Sequence, residues 1–248
     1  MPTVRLDPAI GLIAQLVLLT ILATTVDLGA AGWVTGVGYG LIMWAALTQG
    51  LHNVGLRALG PADWVTLTRA TLVGCAAALI AASFRHNASL APDITARVLV
   101  TIATVALVLD GVDGYVARRT GTSSVLGARF DMEVDAFLIL VLSVYVARSM
   151  GVWVLAIGAM RYAFVVATWA LAWMRGSLPP RFWRKVVAAT QGVVLVVVAA
   201  GVLPEPLEVA AVIVALVLLV ESFGRDVAWL RSRTDQWAER SGSPTMPR

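Results

Sequence analysis

The sequence has few of the residues that build disulfide-bonded or zinc-bound domains. Among its 248 residues there is one cysteine, and there are two histidines. Cys75 lies alone inside an apolar segment, which excludes a disulfide framework and a thiolate zinc site. His52 and His86 are far apart and match no metalloprotease spacing. Charged residues make up 14% of the chain, which is low for a soluble domain of this size.

Apolar residues are abundant instead. They form 59% of the chain, and the mean hydropathy is +0.83. This balance is typical of an integral membrane protein. The pI near 9.8 does not indicate nucleic-acid binding, because the arginines lie between apolar runs, where membrane topology explains them. No small-residue cleavage pattern follows the first apolar run, which is therefore expected to be a retained span.

Runs long enough to cross a bilayer, which takes roughly 20 apolar residues, recur along the chain. Turn-forming or charged segments such as Pro204-Glu205-Pro206 separate them. The sequence therefore predicts an all-α integral membrane protein with about eight transmembrane helices. The predicted spans are 9–27, 31–50, 63–83, 97–117, 130–148, 152–174, 186–202 and 207–224.

The positive charges predict an orientation for these spans. An even number of spans places both termini on one side of the membrane, and most of the Arg and Lys residues fall on that side. Both termini are therefore expected in the cytoplasm, together with the segment that joins the fourth and fifth spans. The chain is expected to be a multi-pass protein of the cell (inner) membrane, with a polar, frayed tail at 231–248.

Glycines in the second span predict close helix packing. Gly32, Gly36 and Gly40 repeat every four residues and form a stripe of small residues along one helix face. A glycine-rich phosphate loop is disfavoured at this position, because no strand precedes the glycines and the lysine of such loops is missing.

Four aspartates stand where the fourth span ends and the fifth begins. Asp110 and Asp113 are three residues apart. Asp131 and Asp135 are four residues apart, so on helices the members of each pair share one face. Unpaired charges in a membrane cost roughly 3 kcal/mol each, and divalent cations such as Mg²⁺ or Mn²⁺ bind carboxylates well. The alternative is that these are solvated carboxylates balanced by nearby arginines.

Eight residues with fixed spacing extend across both helix ends and the loop between them. They are Asp110, Asp113, Gly114, Ala117, Arg118, Gly127, Asp131 and Asp135. This pattern resembles the full signature of the CDP-alcohol phosphatidyltransferases. The resemblance implies a six-helix membrane core that usually forms a homodimer. It also implies a reaction in which an alcohol hydroxyl attacks the β-phosphorus of a CDP-linked lipid and CMP leaves.

The resemblance further implies roles for individual residues. Asp110, Asp113 and Asp131 would bind two divalent ions, Mg²⁺ or Mn²⁺. Asp135 would bind a metal and act as the general base on the incoming hydroxyl. Two metals that hold a diphosphate are also suited to displacement at phosphorus on chemical grounds alone. The nucleotide-binding residues are expected to be Thr66, Gly114, Ala117, Arg118, Ser124 and Gly127.

Two weaker similarities to the family lie outside this pattern. The segment ADWVTLTR resembles the family's Asn-x2-Thr-x2-Arg, with Thr66 and Arg69 as matches and Asp63 in place of Asn. The segment RKVVAATQ resembles a Gly-Lys-x-Lys-Thr-x2-Gln segment of members that use glycerophosphate, with Lys185 and Gln191 as matches. Other positions of the second segment depart from the pattern, so it does not identify the acceptor.

Three basic residues are candidates for binding the acceptor alcohol. Arg161 lies inside the sixth span, where an arginine is a functional candidate. An ion pair or a contact with helix-end carbonyls is an equal alternative for it. Arg181 and Lys185 lie in a basic cytoplasmic loop, which topology and contact with anionic lipid also explain.

The sequence predicts three parts in the chain. Two extra N-terminal transmembrane helices occupy 1–58, a six-helix catalytic core occupies 59–230, and the polar cytoplasmic tail occupies 231–248. The expected partners are a CDP-lipid such as CDP-diacylglycerol, a small alcohol with or without a phosphate group, membrane lipids and a second copy of the chain. The expected function is metal-dependent phosphatidyl transfer in phospholipid biosynthesis. The alternatives are a cation transporter with intramembrane carboxylates and a non-catalytic relative that binds lipid or nucleotide.

Overall fold

The computed structural model describes residues 6–55, 59–84, 92–120, 125–176 and 182–241. Within these ranges the chain forms eight α-helices and two short 3₁₀ helices, with no strand. The side chains of Asp113, Ala117 and Arg118 lie outside the described set, as do residues Ser124 and Arg181. The helices are α1 (Leu6–Thr25), α2 (Gly29–Val54), α3 (Pro61–Ser83), α4 (Pro92–Thr120), α5 (Val125–Met150), α6 (Leu155–Ala170), α7 (Phe182–Ala199) and α8 (Glu205–Ser241).

Six segments of the described chain are long and apolar enough to cross a membrane. They are Asp7–Thr25, Gly29–Val54, Pro61–Ser83, Ile94–Val116, Val152–Ala170 and Glu205–Ser232. The protein is therefore an all-α, multi-pass integral membrane protein, as the sequence predicts. Helices α5 and α7 are not among the six, and their crossing of the membrane stays a prediction.

Two helices extend well beyond the predicted spans. Helix α5 begins at Val125 rather than at 130, so Asp131 and Asp135 lie within its first turns. Helix α8 continues to Ser241, and the frayed tail predicted from 231 is wrong over 231–241. Packing explains the beginning of this extension, because Leu230 is buried and a Cβ atom on Gly176 would lie 2.9 Å from its Cδ2 atom.

Helix α3 lies at the centre of the bundle. It contacts α1, α2, α4 and α5, and 78% of its most apolar window is buried, against 28% or less in each of the other five candidate spans. Many of its buried residues are small, such as Gly74, Cys75 and Ala78. Small side chains let neighbouring backbones approach, so helices can surround α3. The outer spans expose large apolar side chains, such as Val34 and Trp169.

The glycine stripe of α2 faces α1 and this central helix. Gly32 and Gly36 are buried. A Cβ atom on Gly32 would lie 2.9 Å from the Ala78 carbonyl oxygen of α3, and a Cβ atom on Gly36 would lie 2.7 Å from Leu19 Cδ2 of α1. Helix α2 therefore packs against both helices at a distance that a larger residue would not permit, in agreement with the predicted close packing.

The packing of α3, α4 and α5 positions the aspartates. Helix α5 contacts α3, α6 and α7, while α4 contacts α3 and α7. Apolar side chains of α3 and α5, among them Leu67, Ala70, Val134 and Leu138, share one core. This core holds the beginning of α5 against the first half of α3, beside the later part of α4.

Candidate metal and nucleotide site

Three of the four predicted metal ligands meet beside α3. One carboxylate oxygen from each of Asp110, Asp131 and Asp135 lies within 4.8 Å of the other two. In the part of the chain that the structure describes, this is the one group of three or more potential metal ligands. Asp110 lies on α4, and the other two lie one turn apart on α5. Asp113 lies on α4, but its side chain is outside the described residues.

The guanidinium group of Arg69 on α3 lies among these carboxylates. Its Nη1 atom donates a 2.7 Å hydrogen bond to Asp110 Oδ1, and its Nη2 atom lies 2.8 Å from Asp131 Oδ1. Nη2 also donates to Asp135 Oδ1 and, at 3.4 Å, to the backbone carbonyl of Asp131. The planar fork of an arginine, with five N–H donors, allows one residue to hold three carboxylates together.

Burial differs sharply within this cluster. The Arg69 side chain is 0% exposed, whereas those of Asp110, Asp131 and Asp135 are 39%, 34% and 34% exposed. Arg69 therefore forms the floor of the site, and the carboxylates line its open side. Three carboxylates against one guanidinium leave an excess of two negative charges, which favours the binding of further cations from the open side.

The donor set of this cluster fits a divalent metal ion. Asp131 Oδ1 is buried and lies 2.8 Å from Arg69 Nη2, an ion pair that leaves a lone pair of the oxygen for a further cation. Carboxylate oxygens are the ligands that Mg²⁺ and Mn²⁺ prefer. A buried oxygen with unused lone pairs, beside two other carboxylates, suits such an ion. Asp110, Asp131 and Asp135 would hold it, with Asp113 as the fourth candidate.

Thr66 lies close to this cluster in the fold. It is buried on α3, one turn before Arg69, and its hydroxyl donates a 3.2 Å hydrogen bond to the Ala62 carbonyl. This contact within the helix orients the hydroxyl group. Contact between Thr66 and a nucleotide stays a prediction.

The other predicted nucleotide-binding residues lie on both sides of the loop between α4 and α5. Gly114 is on α4, one turn after Asp110, and Gly127 is in the first turn of α5, with both partly buried. Their positions place two residues without side chains near the ends of the helices that carry the carboxylates. The remaining three fall outside the described side chains: Ala117, Arg118 and Ser124.

Arg161 on α6 forms an ion pair with Glu133 on α5. The Arg161 Nη2 atom lies 2.6 Å from Glu133 Oε1, and the two side chains are 32% and 55% exposed. Glu133 stands between Asp131 and Asp135 in sequence and so projects from a different face of α5. Of the alternatives for Arg161, the structure therefore shows the ion pair. Its partner, Glu133, lies outside the cluster around Arg69.

The second basic segment places one residue at the start of a helix that packs beside the cluster. Lys185 is exposed in the first turn of α7, which contacts α4 and α5. Gln191, the other family match in this segment, is buried, and its amide donates a 2.8 Å hydrogen bond to the Ala215 carbonyl of α8. Gln191 therefore joins two helices. Arg181 lies outside the described residues.

Arg69 is the residue of this cluster that the sequence analysis did not assign to the site. From the sequence, Arg69 is identified only as a match to the family's Asn-x2-Thr-x2-Arg segment. A further signal was present in the sequence, because Arg69 falls inside the predicted third span, 63–83. A charged side chain inside a span is costly and therefore marks a functional candidate, by the same argument that singled out Arg161.

Asp63, which replaces the family's Asn, has a structural contact. Its carboxylate accepts a 3.0 Å hydrogen bond from the Gly60 backbone N–H. The Asp7 carboxylate of α1 likewise accepts a 2.8 Å hydrogen bond from the Leu59 N–H. Free backbone N–H groups at a helix start need such acceptors. Two carboxylates thus fix the start of α3, the helix that carries Arg69.

The helical fold and the aspartate cluster define an integral membrane protein with a candidate metal site. Comparison with known proteins identifies its family. The family model of the CDP-alcohol phosphatidyltransferases matches residues 59–221. This range begins just before α3, ends within α8 and contains the whole cluster. The chain belongs to the CDP-alcohol phosphatidyltransferase family, whose members are transferases that act on CDP-alcohols. No curated protein and no solved structure matches the chain.

Proposed function

We propose that the protein transfers a phosphatidyl group from a CDP-linked lipid, such as CDP-diacylglycerol, to the hydroxyl group of a small alcohol and releases CMP. The observation that supports this proposal is the convergence of Asp110, Asp131 and Asp135 on Arg69, inside the segment that matches the family model. In this reaction the hydroxyl oxygen bonds to the β-phosphorus. The bond between that phosphorus and the oxygen bridging to CMP breaks, and CMP leaves with the bridging oxygen.

The proposed chemistry divides the aspartates between two tasks. Asp110, Asp113 and Asp131, with Asp135, would hold two divalent ions, Mg²⁺ or Mn²⁺. Once bound, such ions neutralise the diphosphate and the charge that develops on the leaving phosphate. Asp135 is the proposed general base, and its carboxylate takes the proton of the acceptor hydroxyl. Arg69 orients that carboxylate through Oδ1.

The proposal also assigns the groups that would hold the substrates. Thr66, Gly114 and Gly127 would line the CMP site, together with Ala117, Arg118 and Ser124. For an anionic acceptor, the exposed Lys185 is a candidate ligand, because it lies at the start of α7, which contacts both helices that carry the aspartates. Arg161 would have to exchange its ion pair with Glu133 for the acceptor, and Arg181 is a further candidate.

The cellular setting of this reaction is part of the same proposal. The positive-inside pattern supports a cell (inner) membrane protein with both termini and the active site in the cytoplasm. The proposal includes a homodimer, which the family resemblance implies. The division into an N-terminal helix pair at 1–58, a catalytic core at 59–230 and a tail at 231–248 is likewise proposed.

A cation transporter finds less support. Transporters typically bind ions near the middle of the membrane on discontinuous helices. Helix α4 runs unbroken from Pro92 to Thr120, and α5 runs unbroken from Val125 to Met150. The cluster lies where two continuous helices approach the loop that joins them, which suits a reaction at a membrane surface.

Release of CMP tests the proposal directly. The protein, purified in detergent, is given CDP-diacylglycerol, Mg²⁺ or Mn²⁺, and one alcohol at a time from a panel that includes glycerol 3-phosphate, inositol phosphate and serine. We expect chelator-sensitive CMP release that depends on one alcohol. Asp135→Asn should lower the rate by about 100-fold or more. Glu205→Gln, the matching carboxylate-to-amide change at the exposed start of α8, should leave the rate unchanged.

Two outcomes would contradict the proposal. The first is CMP release that persists in the presence of chelator or in Asp135→Asn. The second is no CMP release with any alcohol, combined with metal-dependent stabilisation of the protein by CMP against heat. That second result would identify a non-catalytic relative that has kept the nucleotide site.

A further inference from the structure

A small cavity lies between the N-terminal helices and the central helix. It has a volume of about 10 Å³, and α1, α2 and α3 all line it. Two of its lining side chains are polar and almost fully buried: Gln15 of α1 is 1% exposed, and Tyr39 of α2 is 8% exposed. Nothing in the proposed reaction uses this cavity.

Both polar side chains lack partners for their buried atoms. Among the described residues, neither the Gln15 Nε2 atom nor the Tyr39 hydroxyl oxygen has a hydrogen-bond partner. In a lipid bilayer no bulk water is available to satisfy such groups, so leaving each of them unpaired is unfavourable. Two such groups that line one cavity point to a ligand that pairs with both.

Glycines on the neighbouring helices make room for the Gln15 side chain. A Cβ atom on Gly40 of α2 would lie 3.2 Å from Gln15 Cγ, and a Cβ atom on Gly74 of α3 would lie 2.9 Å from Gln15 Cδ. Glycine on two neighbouring helices therefore leaves room for the amide. Thr71 of α3 adds a third polar group to the cavity wall. Its hydroxyl donates to the Thr68 carbonyl at 2.7 Å, so its oxygen can still accept.

We propose that this cavity holds one ordered water molecule that bridges Gln15 and Tyr39. The volume is about that needed for a single water, and buried waters typically make about three hydrogen bonds to otherwise unpaired polar groups. Gln15, Tyr39 and Thr71 supply three partners. The bridge joins α1 and α2, which precede the segment matched by the family model, to α3, which carries Arg69. It thereby fixes the N-terminal helix pair on the catalytic core.

The first test measures water in the wild-type protein. Radiolytic hydroxyl-radical labelling in lipid nanodiscs oxidises side chains next to bound internal water. We expect labelling of Met43, which lines the cavity, above that of Met160, which packs in the core on α6. Gln15→Leu should reduce the labelling of Met43. Labelling of Met43 no greater than that of Met160 would overturn the proposal.

The second test is a double-mutant cycle on thermal unfolding in detergent. Gln15→Leu and Tyr39→Phe should each lower the melting temperature, because each leaves the other group and the water short of a partner. The double variant should lose less than the sum of the two shifts, since it removes both polar groups together. Additive shifts would overturn the bridge.

Two comparisons keep the cycle interpretable. Tyr145→Phe removes a tyrosine hydroxyl from α5, away from the cavity, and should combine additively with Gln15→Leu. A direct Gln15–Tyr39 hydrogen bond would reproduce the non-additive result but would leave the cavity dry. Unlabelled Met43 would then identify that direct bond and reject the water.

Discussion

Arg69 and Arg161 both lie inside predicted spans, and their surroundings differ. Arg69 is 0% exposed, and its guanidinium contacts three carboxylates. Arg161 is 32% exposed and pairs with Glu133, which is itself 55% exposed. The sequence alone does not distinguish the two arginines, because each falls within a predicted span. The number of their carboxylate partners and the burial of those partners distinguish them.

The difference has an energetic basis. A buried charge is tolerated when partners surround it, and removing it leaves those partners uncompensated. A partly exposed pair contributes little, because solvent or lipid headgroups can replace either member. We therefore expect Arg69 to be essential to the arrangement of the site. We expect Arg161 to be able to exchange its partner, which is the property that a substrate-binding arginine needs.

The largest expected effect comes from Arg69→Met. The change leaves three carboxylates around a buried apolar side chain, at a cost of about 3–5 kcal/mol. We expect the melting temperature in detergent to fall by about 10 °C or more and CMP release to be lost. High Mg²⁺ should restore part of the stability, because divalent ions supply the missing positive charge. An unchanged melting temperature would show that the Arg69 contacts do not hold the site together.

Removal of metal should have the next largest effect. Saturating Mg²⁺ or Mn²⁺ should stabilise the wild-type protein by about 2.7 kcal/mol at a concentration 100 times the Kd, seen as a higher melting temperature that chelator reverses. Asp131→Asn should abolish most of this shift, since it neutralises a carboxylate whose Oδ1 atom is buried beside the two other candidate ligands. Glu205→Gln should keep the shift. An equal shift in Asp131→Asn would rule out Asp131 as a ligand.

These expectations show what local sequence patterns determine and what they leave open. The grouping of Asp131 with Asp135 follows from helix periodicity and could be predicted. The central place of Arg69 depends on contacts with Asp110 and Asp135, which are 41 and 66 residues away in the chain. Such contacts arise when α3, α4 and α5 pack, and no local pattern encodes them.

Helix ends were missed, and the ion pair of Arg161 was left as one of two alternatives, for the same kind of reason. The start of α5 at Val125 and the extension of α8 to Ser241 lie outside the apolar runs that define spans. The pairing of Arg161 with Glu133 joins residues 28 positions apart. Here the sequence supplied two equal alternatives, and tertiary packing decided between them.

A smaller effect is expected at Arg161, and it tests whether this arginine exchanges partners. Arg161→Gln should raise the KM for an anionic acceptor by about 10-fold, the loss of one charge-assisted hydrogen bond, with little change in the KM for the CDP-lipid. Glu133→Gln is the matched control, because it releases Arg161 and should not raise the acceptor KM. Equal changes in both KM values on Arg161→Gln would make Arg161 a purely structural residue.

The smallest effect is expected at an ion pair that is still more exposed than the pair of Arg161 and Glu133. Glu221 and Arg225 pair one turn apart on α8, with side chains that are 34% and 63% exposed. Pairs of this kind contribute about 0.2–1 kcal/mol, so Glu221→Gln should lower the melting temperature by about 2 °C or less and leave CMP release unchanged. A loss as large as that of Arg69→Met would show that hydrocarbon, rather than water, surrounds this turn. The membrane would then extend beyond Arg225, and an exposed fraction would no longer separate strong from weak ion pairs in this protein.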